Sequence, residues 1–370
     1  MTTVAPNNSP VIAPHSAQNY AFYSRLDYFS ELQKRISQTK PGSRILLLSM
    51  TFNPRNEVIA QLMSSLEAAA ARGVAVIIGI DAHSFMIDNY QPTGPLVYGN
   101  LLAKNMLSIY RDKLAFVYRI NQYPSGNAFI TNQPPRRFSL PIAGRSHIKI
   151  AVIDNTVYVG SHNLEFPDWV NLSLGFENKN TADWLIDKLA QPGHNHTIAK
   201  MFYHADQHYD IDVKTELLLD AGVRGQSSIY RAACDMIDQA DDWLTITCQY
   251  FPNGRTAQHL LQAHQRGVHV KIIYANPKYQ GTVGKYGQYI SQAIERTRLP
   301  AILFAKGLDS KAPMLHAKLI ACDKGLLVGS HNYVKAGVKL GTAEIALRST
   351  SPEMAYDSVQ VIEANLKQPA

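Results

Sequence analysis

The sequence predicts an α/β protein made of two fused copies of one unit, and three observations support this prediction. The segment around Phe52 is similar to the segment around Phe251, both copies have the pattern strand, helix, strand, and each copy is followed by the same polar block. Strands that alternate with helices indicate a mainly parallel sheet covered by helices. We therefore expect two lobes of like architecture within one chain.

The predicted elements follow in the same order in both copies. In the first copy the strand, the helix and the second strand are residues 45–50, 57–71 and 75–80. In the second copy they are residues 244–248, 256–265 and 270–274. Each helix ends at an Arg-Gly-Val triplet, where Gly73 and Gly267 suit the left-handed conformation that often terminates a helix. The triplets are therefore interpreted as structural.

Length and composition describe a globular chain with room for two domains. The 370 residues are 46% hydrophobic and 18% charged, and the formal net charge of +7 predicts attraction to polyanions such as nucleic acid or anionic lipid headgroups. The predicted divisions are a loose tail at 1–19, a first half at 20–195, a connecting segment at 196–222 and a second half at 223–370.

The redox environment is inferred from three cysteines, whose spacing suits neither a disulfide framework nor a metal site. They are Cys234, Cys248 and Cys322, and they indicate a reducing compartment. The first residues do not resemble a signal peptide, and no apolar run reaches the length of a membrane span. We expect a cytoplasmic protein whose contact with the inner membrane face is peripheral.

A polar block with one spacing follows each strand, helix, strand unit. In the first copy it contains Ser146-His147-Ile148-Lys149, Asp154 and Gly160-Ser161-His162-Asn163. In the second copy it contains Leu315-His316-Ala317-Lys318, Asp323 and Gly329-Ser330-His331-Asn332. In both copies the aspartate follows the histidine by seven positions and precedes the glycine by six. Identical spacing at two places indicates a duplicated functional block.

At these residues the sequence resembles the phospholipase D superfamily, whose signature is HxKxxxxD followed by a GSxN-type turn. The resemblance covers most of the chain, roughly residues 20 to 368. It implies two phospholipase D-like α-β-α sandwiches related by a pseudo-two-fold axis, with one active site at their interface. Within the superfamily the second half is most similar to bacterial cardiolipin synthases and related phosphatidyltransferases. That similarity lies in Gln249-Tyr250-Phe251-Pro252, Arg266-Gly267-Val268, Leu315-His316-Ala317-Lys318 and Thr342-Ala343-Glu344-Ile345.

The histidine and lysine of each motif suit chemistry at a phosphodiester. Residues two apart on a strand share one face, so His147 and Lys149 would point to one side, as would His316 and Lys318. One imidazole would attack phosphorus, and the other would protonate the leaving alcohol and later deprotonate the acceptor. By analogy with the superfamily we assign His147 as the nucleophile and His316 as the acid and base, although the near symmetry of the motifs also permits the opposite order. Neither a metal nor another cofactor is implied.

The remaining site residues divide into phosphate-binding and supporting groups. The predicted phosphate ligands are Lys149, Lys318, Asn163, Asn332, Ser161 and Ser330, where the serines have loop support as their other role. Asp154 and Asp323 are interpreted as structural residues of a turn. His162 and His331 occupy the variable position of the loop and either line the site or are exposed.

A carboxylate is expected beside each histidine, to fix its tautomer and stabilise the imidazolium. The resemblance implies that Glu344 reaches the histidine of the other half. The first half departs from the pattern, because Asn171 stands where the family commonly has an acid. Asp168 and Glu177 are the candidate substitutes.

Two further features concern the region between the motifs. From Gly73 to His147 the first half is about 25 residues longer than the second half is from Gly267 to His316. The extra residues, between Phe85 and Arg145, are predicted to form a lid or rim over the site. Its aromatic, proline and basic residues are Tyr90, Pro92, Pro95, Tyr98, Tyr118, Tyr123, Pro134, Pro135, Arg136 and Arg137. A histidine group at His194, His196, His204 and His208 lacks the cysteines or carboxylates that would complete a zinc site, so a hydrated linker is the preferred interpretation.

The leading hypothesis is a metal-independent phosphodiesterase or phosphatidyltransferase that acts on phospholipids through a phosphohistidine at an anionic membrane surface. The alternatives are a nuclease of the same superfamily, which would take nucleic acid as its substrate, and a non-catalytic module that binds polyanions. Since both motifs lie in one chain, a monomer is sufficient to form the active site.

Overall fold

The structure is a computed structural model that describes residues 20–86, 99–131, 144–190, 198–199, 205–275, 304–307 and 313–368. These residues form two eight-stranded sheets with helices on their faces. The two sheets place corresponding strands in the same order, as expected for two copies of one unit. The predicted α/β fold of two fused halves of like architecture is confirmed.

The first sheet has the strand order β1-β7-β6-β5-β2-β3-β4-β8. Its strands are β1 (Tyr20–Tyr23), β2 (Arg44–Ser49), β3 (Ala75–Asp81), β4 (Gly126–Thr131), β5 (Ile150–Ile153), β6 (Thr156–Gly160), β7 (Ser173–Glu177) and β8 (Ile198–Ala199). The helices of this half are α1 (Arg25–Gln38), α2 (Glu57–Ala71), α3 (His83–Met86), α4 (Gly99–Asn121) and α5 (Lys179–Leu189).

The second sheet has the strand order β13-β12-β11-β14-β15-β16-β10-β9. Its strands are β9 (Gln207–Asp210), β10 (Thr215–Asp220), β11 (Trp243–Cys248), β12 (His269–Tyr274), β13 (Phe304–Gly307), β14 (Leu319–Cys322), β15 (Gly325–Gly329) and β16 (Glu344–Ser349). The helices of this half are α6 (Ser228–Gln239), α7 (Arg255–Gln265), α8 (Lys335–Leu340) and α9 (Pro352–Lys367).

Three buried apolar clusters show how the layers pack. One lies between the first sheet and the outer helices α1, α2 and α4, and another lies between the second sheet and α6 and α7. The third joins the inner faces of both sheets with α5 and α9. Burial of this shared apolar layer holds the halves together and fixes the position of the site between them.

The repeated strand, helix, strand units occur where they are predicted. Helix α2 spans the predicted residues 57–71. Strand β2 differs from its predicted bounds by one residue at each end, and the other elements differ by one residue at a single end. Gly73 and Gly267 have φ values of +87° and +95°, so both helices do end in the left-handed conformation.

The expectation of a mainly parallel sheet is wrong, because both sheets are mixed. Strands β2, β3 and β4 are parallel, whereas β5, β6 and β7 pair antiparallel with their neighbours. The polar block causes this, since its residues form the hairpin β5–β6 rather than a crossover. The histidine and lysine of each motif lie just before β5 and β14, in extended chain outside the strands.

The predicted connecting segment 196–222 contains strands of both sheets. Strand β8 pairs with β4 of the first sheet, and β9 and β10 are strands of the second sheet.

Part of the predicted lid is also built into the first half, so the lid prediction is wrong for these residues. Strand β4 pairs with β3, and α4 buries Phe116, Val117 and Ile120. Tyr118 is exposed on α4, and Tyr123 packs against the core. The other predicted lid residues, namely Tyr90, Pro92, Pro95, Tyr98, Pro134, Pro135, Arg136 and Arg137, lie outside the described residues.

Candidate active site

Each catalytic motif is tied by backbone hydrogen bonds to the other half of the chain. The N–H of His147 donates to Ala343 O, and the N–H of His316 donates to Val170 O, both at 2.8 Å. Isolated parallel bridges join Ser146 with Ala343 and Leu315 with Val170. Because Glu344 and Asn171 follow the bridged residues directly, each half delivers one side chain to the histidine of the other half.

His147 has Glu344 as its partner. Its Nδ1 donates to the carboxylate, whose two oxygens lie at 3.0 and 2.9 Å. Burial lowers the pKa of His147 to about 4, although the charge of Glu344 acts in the opposite direction. Burial alone would raise the pKa of Glu344, but its interaction with His147 outweighs this effect, and the pKa of Glu344 is lowered to about 2. The imidazole is therefore neutral near pH 7, with Nδ1 occupied and Nε2 left for chemistry.

His316 has an amide as its partner. Its Nδ1 lies 2.8 Å from Asn171 Oδ1 and 3.1 Å from Ser161 O, and since both atoms are acceptors Nδ1 carries the proton. Burial, the two motif lysines and His147 lower the pKa of His316 well below its usual value. Asn171 itself occupies the position of the missing acid. The candidate substitutes are not involved, since Asp168 and Glu177 are exposed and neither contacts His316 in the described structure.

The two motif lysines are buried beside the histidines. Lys149 Nζ donates to His147 O at 3.0 Å, and Lys318 Nζ donates to His316 O at 2.6 Å. Burial lowers the pKa of Lys149 to about 7 and that of Lys318 well below its usual value. An anion bound between them would raise both pKa values, so this arrangement favours a negatively charged ligand.

Asn163 and Asn332 have the same environment in the two halves. Both side chains are partly exposed, and in both the Oδ1 atom is buried without a hydrogen-bond partner in the described structure. The amide NH₂ is then the group that can reach a ligand. A pair of amide donors and a pair of ammonium groups suits the non-bridging oxygens of a phosphodiester.

The loop serines support the partners of the histidines, so their prediction as phosphate ligands is not supported. Ser161 Oγ donates to Asn171 Oδ1 at 3.1 Å, and Ser330 Oγ donates to Glu344 Oε2. Both serines are fully buried. Their hydroxyl groups are committed to orienting the partner amide and carboxylate.

The loop histidines turn away from solvent, which excludes the exposed position that was one expectation. His162 stacks on Tyr28 with ring centroids 4.1 Å apart, and its Nδ1 lies 2.8 Å from Ser173 Oγ. His331 Nδ1 accepts the N–H of Tyr333 at 2.9 Å. Both side chains are buried, and burial lowers the pKa of each.

Asp154 and Asp323 hold the turns that follow the motifs, in agreement with a structural role. Asp154 has a φ of +52° and accepts hydrogen bonds from the N–H of Arg44 and the hydroxyl of Ser43. Asp323 accepts the N–H groups of Asp241 and Asp242. Each aspartate thus ties its hairpin to the start of the neighbouring strand.

Sequence reasoning missed several residues beside the site. Trp169 lies with its ring centroid 5.6 Å from that of His316 and stacks on Phe166 at 4.0 Å. Asp81 and Glu165 are buried carboxylates close enough to raise the pKa of Lys149. Trp169 lies two positions before Asn171, which the sequence already aligned with the acid of the family, and this was the one available signal.

The described part of the chain contains no group of three or more histidine, cysteine or acidic side chains arranged to hold a metal ion. His208 is exposed on β9, whereas His194, His196 and His204 lie outside the described residues. None of the described helices has both the length and the apolar composition needed to cross a bilayer.

Comparison with known proteins agrees with this geometry. Residues 233–367 match the family model described as "Cardiolipin synthase, PLD-like domain". No curated protein matches the chain significantly. The family match agrees with the predicted resemblance to the phospholipase D superfamily over residues 233–367 of the second half.

Two solved structures are similar to this chain over more than nine-tenths of its length. The structure of phosphatidylserine synthase from Haemophilus influenzae Rd KW20 is similar with a TM-score of 0.70 and 15% identity, covering 98% of this chain and 88% of that one. Polyphosphate kinase from Porphyromonas gingivalis is similar with a TM-score of 0.53 and 12% identity, covering 94% of this chain and 50% of that one. At these identities the similarity establishes the shared two-domain fold.

Proposed function

We propose that this protein hydrolyses or transfers a phosphatidyl group through a covalent phosphohistidine formed on His147. The observation that carries the proposal is the site formed between the halves, where two histidines and two lysines meet with different Nδ1 partners. The match of the second half to a cardiolipin synthase domain and the fold of a phosphatidylserine synthase support a lipid substrate. The net charge of +7 favours reaction at an anionic membrane surface on the cytoplasmic side.

The first step forms the covalent intermediate. His147 Nε2 attacks phosphorus, the bond from phosphorus to the leaving alcohol breaks, and the proton on His316 Nε2 passes to the leaving oxygen. Lys149, Lys318 and the two loop asparagines stabilise the charge on the non-bridging oxygens. Glu344 stabilises the positive charge that the phosphorylated imidazole acquires.

The second step releases the product. Water or an acceptor alcohol gives its proton to His316 Nε2 while its oxygen attacks phosphorus, and the bond from phosphorus to His147 breaks. Both histidines return to their starting states. Water gives hydrolysis, and an alcohol gives phosphatidyl transfer.

The unequal partners of the histidines support this assignment of roles. A carboxylate stabilises a permanent positive charge on His147, as a nucleophile that binds phosphorus requires. A neutral amide on His316 stabilises the imidazolium less, which leaves that residue free to lose its proton in each cycle. The bound phosphodiester anion would raise the pKa of His316 and load it with the proton that the first step needs.

The proposal is tested with phosphatidylglycerol vesicles in EDTA, in the presence and absence of a short primary alcohol. We expect glycerol release and, with the alcohol, a phosphatidyl alcohol, both of which disappear in His147→Ala. His208→Ala, which changes an exposed histidine on β9, is the matched control and should retain activity.

Two outcomes would contradict the proposal. Lipid turnover that persists in His147→Ala would show that His147 is not the nucleophile. Cleavage of fluorescent oligonucleotides in EDTA without any turnover of lipid would make the protein a nuclease.

A further inference from the structure

The first half has a buried charged group at the end of β3, and most of its positions are apolar in the aligned sequence of the second half. We name it the β3 cluster, and it consists of Asp81, His83, Lys113 and Arg145. When the Arg-Gly-Val triplets and the motif histidines of the two copies are aligned, three of these positions hold apolar residues in the second half, namely Ala275 for Asp81, Pro277 for His83 and Met314 for Arg145. The duplicated chemistry explains what the two halves share, but it does not explain this difference.

The β3 cluster is connected directly to the catalytic motif. Asp81 Oδ2 accepts the N–H of Ser146 at 2.8 Å, and Ser146 immediately precedes His147. Asp81 Oδ1 accepts the N–H of His83 at 2.7 Å and lies 3.6 Å from Arg145 Nη1. In sheets with parallel strands, ligands commonly bind beyond the carboxyl ends of the strands, which is where the cluster lies on β3.

Cations surround a neutral imidazole in this cluster. Arg145 and Lys113 are 1% and 3% exposed, and Lys113 Nζ donates to Ser84 O at 2.5 Å and to Ser84 Oγ at 3.2 Å. Burial, together with Arg145 and Lys113, lowers the pKa of His83 to about 4. His83 is 9% exposed, and its Nδ1 is buried without a hydrogen-bond partner among the described residues.

We propose that the β3 cluster is a subsite for a second anionic group of the substrate, a phosphate or carboxylate on the headgroup alcohol. This inference rests on the proposed phosphatidyl chemistry and names its substrate class. The guanidinium of Arg145 suits the paired oxygens of such a group, and the neutral His83 can donate one further hydrogen bond. Because the second half has apolar residues at the aligned positions, the subsite lies on one side of the scissile phosphate and selects one orientation of the substrate.

The test compares three lipids in mixed micelles: phosphatidylglycerol, phosphatidylglycerol phosphate and phosphatidylserine. The measured quantity is the ratio of kcat/KM for each anionic headgroup to that for phosphatidylglycerol. Arg145→Met and His83→Gln should each lower the ratio for the preferred anionic headgroup by about tenfold or more. Whichever headgroup loses its advantage identifies phosphate or carboxylate as the ligand.

Controls separate the possible failures. Arg231→Met and His269→Gln change exposed residues on α6 and β12 and should leave the ratio as in the wild type. Since Arg145→Met leaves Asp81 without that cation, thermal melting must show that the variant folds, and His83→Gln provides an independent variant that keeps the Asp81–Arg145 pair.

Two results would overturn different claims. Turnover of all three lipids with unchanged ratios in both variants would refute the subsite and leave the proposed function intact. Absence of turnover of every lipid by the wild type would refute the proposed function itself.

Discussion

At the scale of single residues, the two histidines differ mainly in what holds their Nδ1 atoms. Glu344 brings a full negative charge to His147, whereas Asn171 brings only a carbonyl dipole to His316. A buried charge affects a neighbouring imidazole far more strongly than a dipole does. The pair of motifs is therefore nearly symmetric in residue type and asymmetric in electrostatics.

The substitution Glu344→Gln tests the role of the carboxylate. Glutamine keeps an oxygen near Nδ1 but removes the charge that stabilises phosphorylated His147, so kcat should fall by about 100-fold or more. Rapid-quench measurement of the phosphohistidine should show slower formation of the intermediate. Retention of wild-type kcat would contradict this role.

The substitution Asn171→Asp tests the role of the amide. A carboxylate beside Nδ1 raises the pKa of His316, so its protonated form persists to higher pH. Because the first step uses that proton, the high-pH limb of the kcat/KM profile should move upward by about one pH unit or more. An unmoved high-pH limb would show that His316 does not supply the proton.

The sequence identified the candidate catalytic residues because their spacing repeats, and repetition distinguishes them from chance occurrences of the same residue types. It correctly placed Glu344 beside the histidine of the other half. The contact of Asn171 with His316 was not predicted. The sequence analysis expected a carboxylate beside His316 and looked for it elsewhere, whereas the amide of Asn171 fills that position. Arg145, His83 and Asp81 were missed because they occur in one copy only.

At the scale of elements, the hairpin after each motif depends on one aspartate. Asp154 has a positive φ and accepts hydrogen bonds from Ser43 and Arg44 at the start of β2. Asp323 accepts two backbone hydrogen bonds from Asp241 and Asp242, just before β11. These bonds lie outside the lysine and histidine groups of the site. We therefore expect the aspartates to contribute to stability and not to the reaction.

The substitution Asp154→Ala should lower the free energy of unfolding by about 1–2 kcal/mol, because it removes both hydrogen bonds and leaves alanine in a left-handed conformation. Urea denaturation measures this change. Asp154→Asn is the matched variant, since asparagine tolerates the conformation and keeps an acceptor, and it should cost less. A loss of kcat in folded Asp154→Asn would indicate a chemical role instead.

The bounds of elements with a strong local pattern were predicted well, but the way in which the strands pair in the sheets was not. Helix α2 has a clear apolar periodicity and a glycine after its end, so its bounds follow from the sequence. The mixed sheet did not follow, because antiparallel pairing of β5 with β2 is a long-range contact that local pattern does not encode. The lid prediction failed at α4 and β4 for a similar reason, because their packing against β3 and the core is also a long-range contact.

At the scale of the whole molecule, the site reduces the stability of the fold. The folded-state pKa of Lys318 lies below its unfolded value, so at neutral pH the unfolded chain binds that proton more readily, and the difference counts against folding. Burial also lowers the folded-state pKa of Lys149, so its contribution opposes folding as well. Functional sites commonly lower the stability of a protein, and positively charged groups buried close together are one way in which they do so.

Lys318→Met should therefore abolish activity and raise the free energy of unfolding at pH 7 by about 1–2 kcal/mol. The gain should shrink as the pH approaches the ordinary lysine pKa of about 10.4, where the unfolded chain also loses the proton. Urea denaturation at several pH values measures it, with Lys339→Met, an exposed position on α8, as the control. A less stable Lys318→Met variant at pH 7 would contradict the assignment.

The reciprocal bridges between the halves also bear on how such a site can change over time. In a symmetric dimer of identical single-motif subunits, every substitution would appear at both histidines at once. Fusion into one chain removes that constraint, because Asn171 and Glu344 are separate positions that can vary independently. A duplicated site can thereby become specialised one half at a time, with one histidine kept as the nucleophile while the surroundings of the other drift toward a different proton affinity.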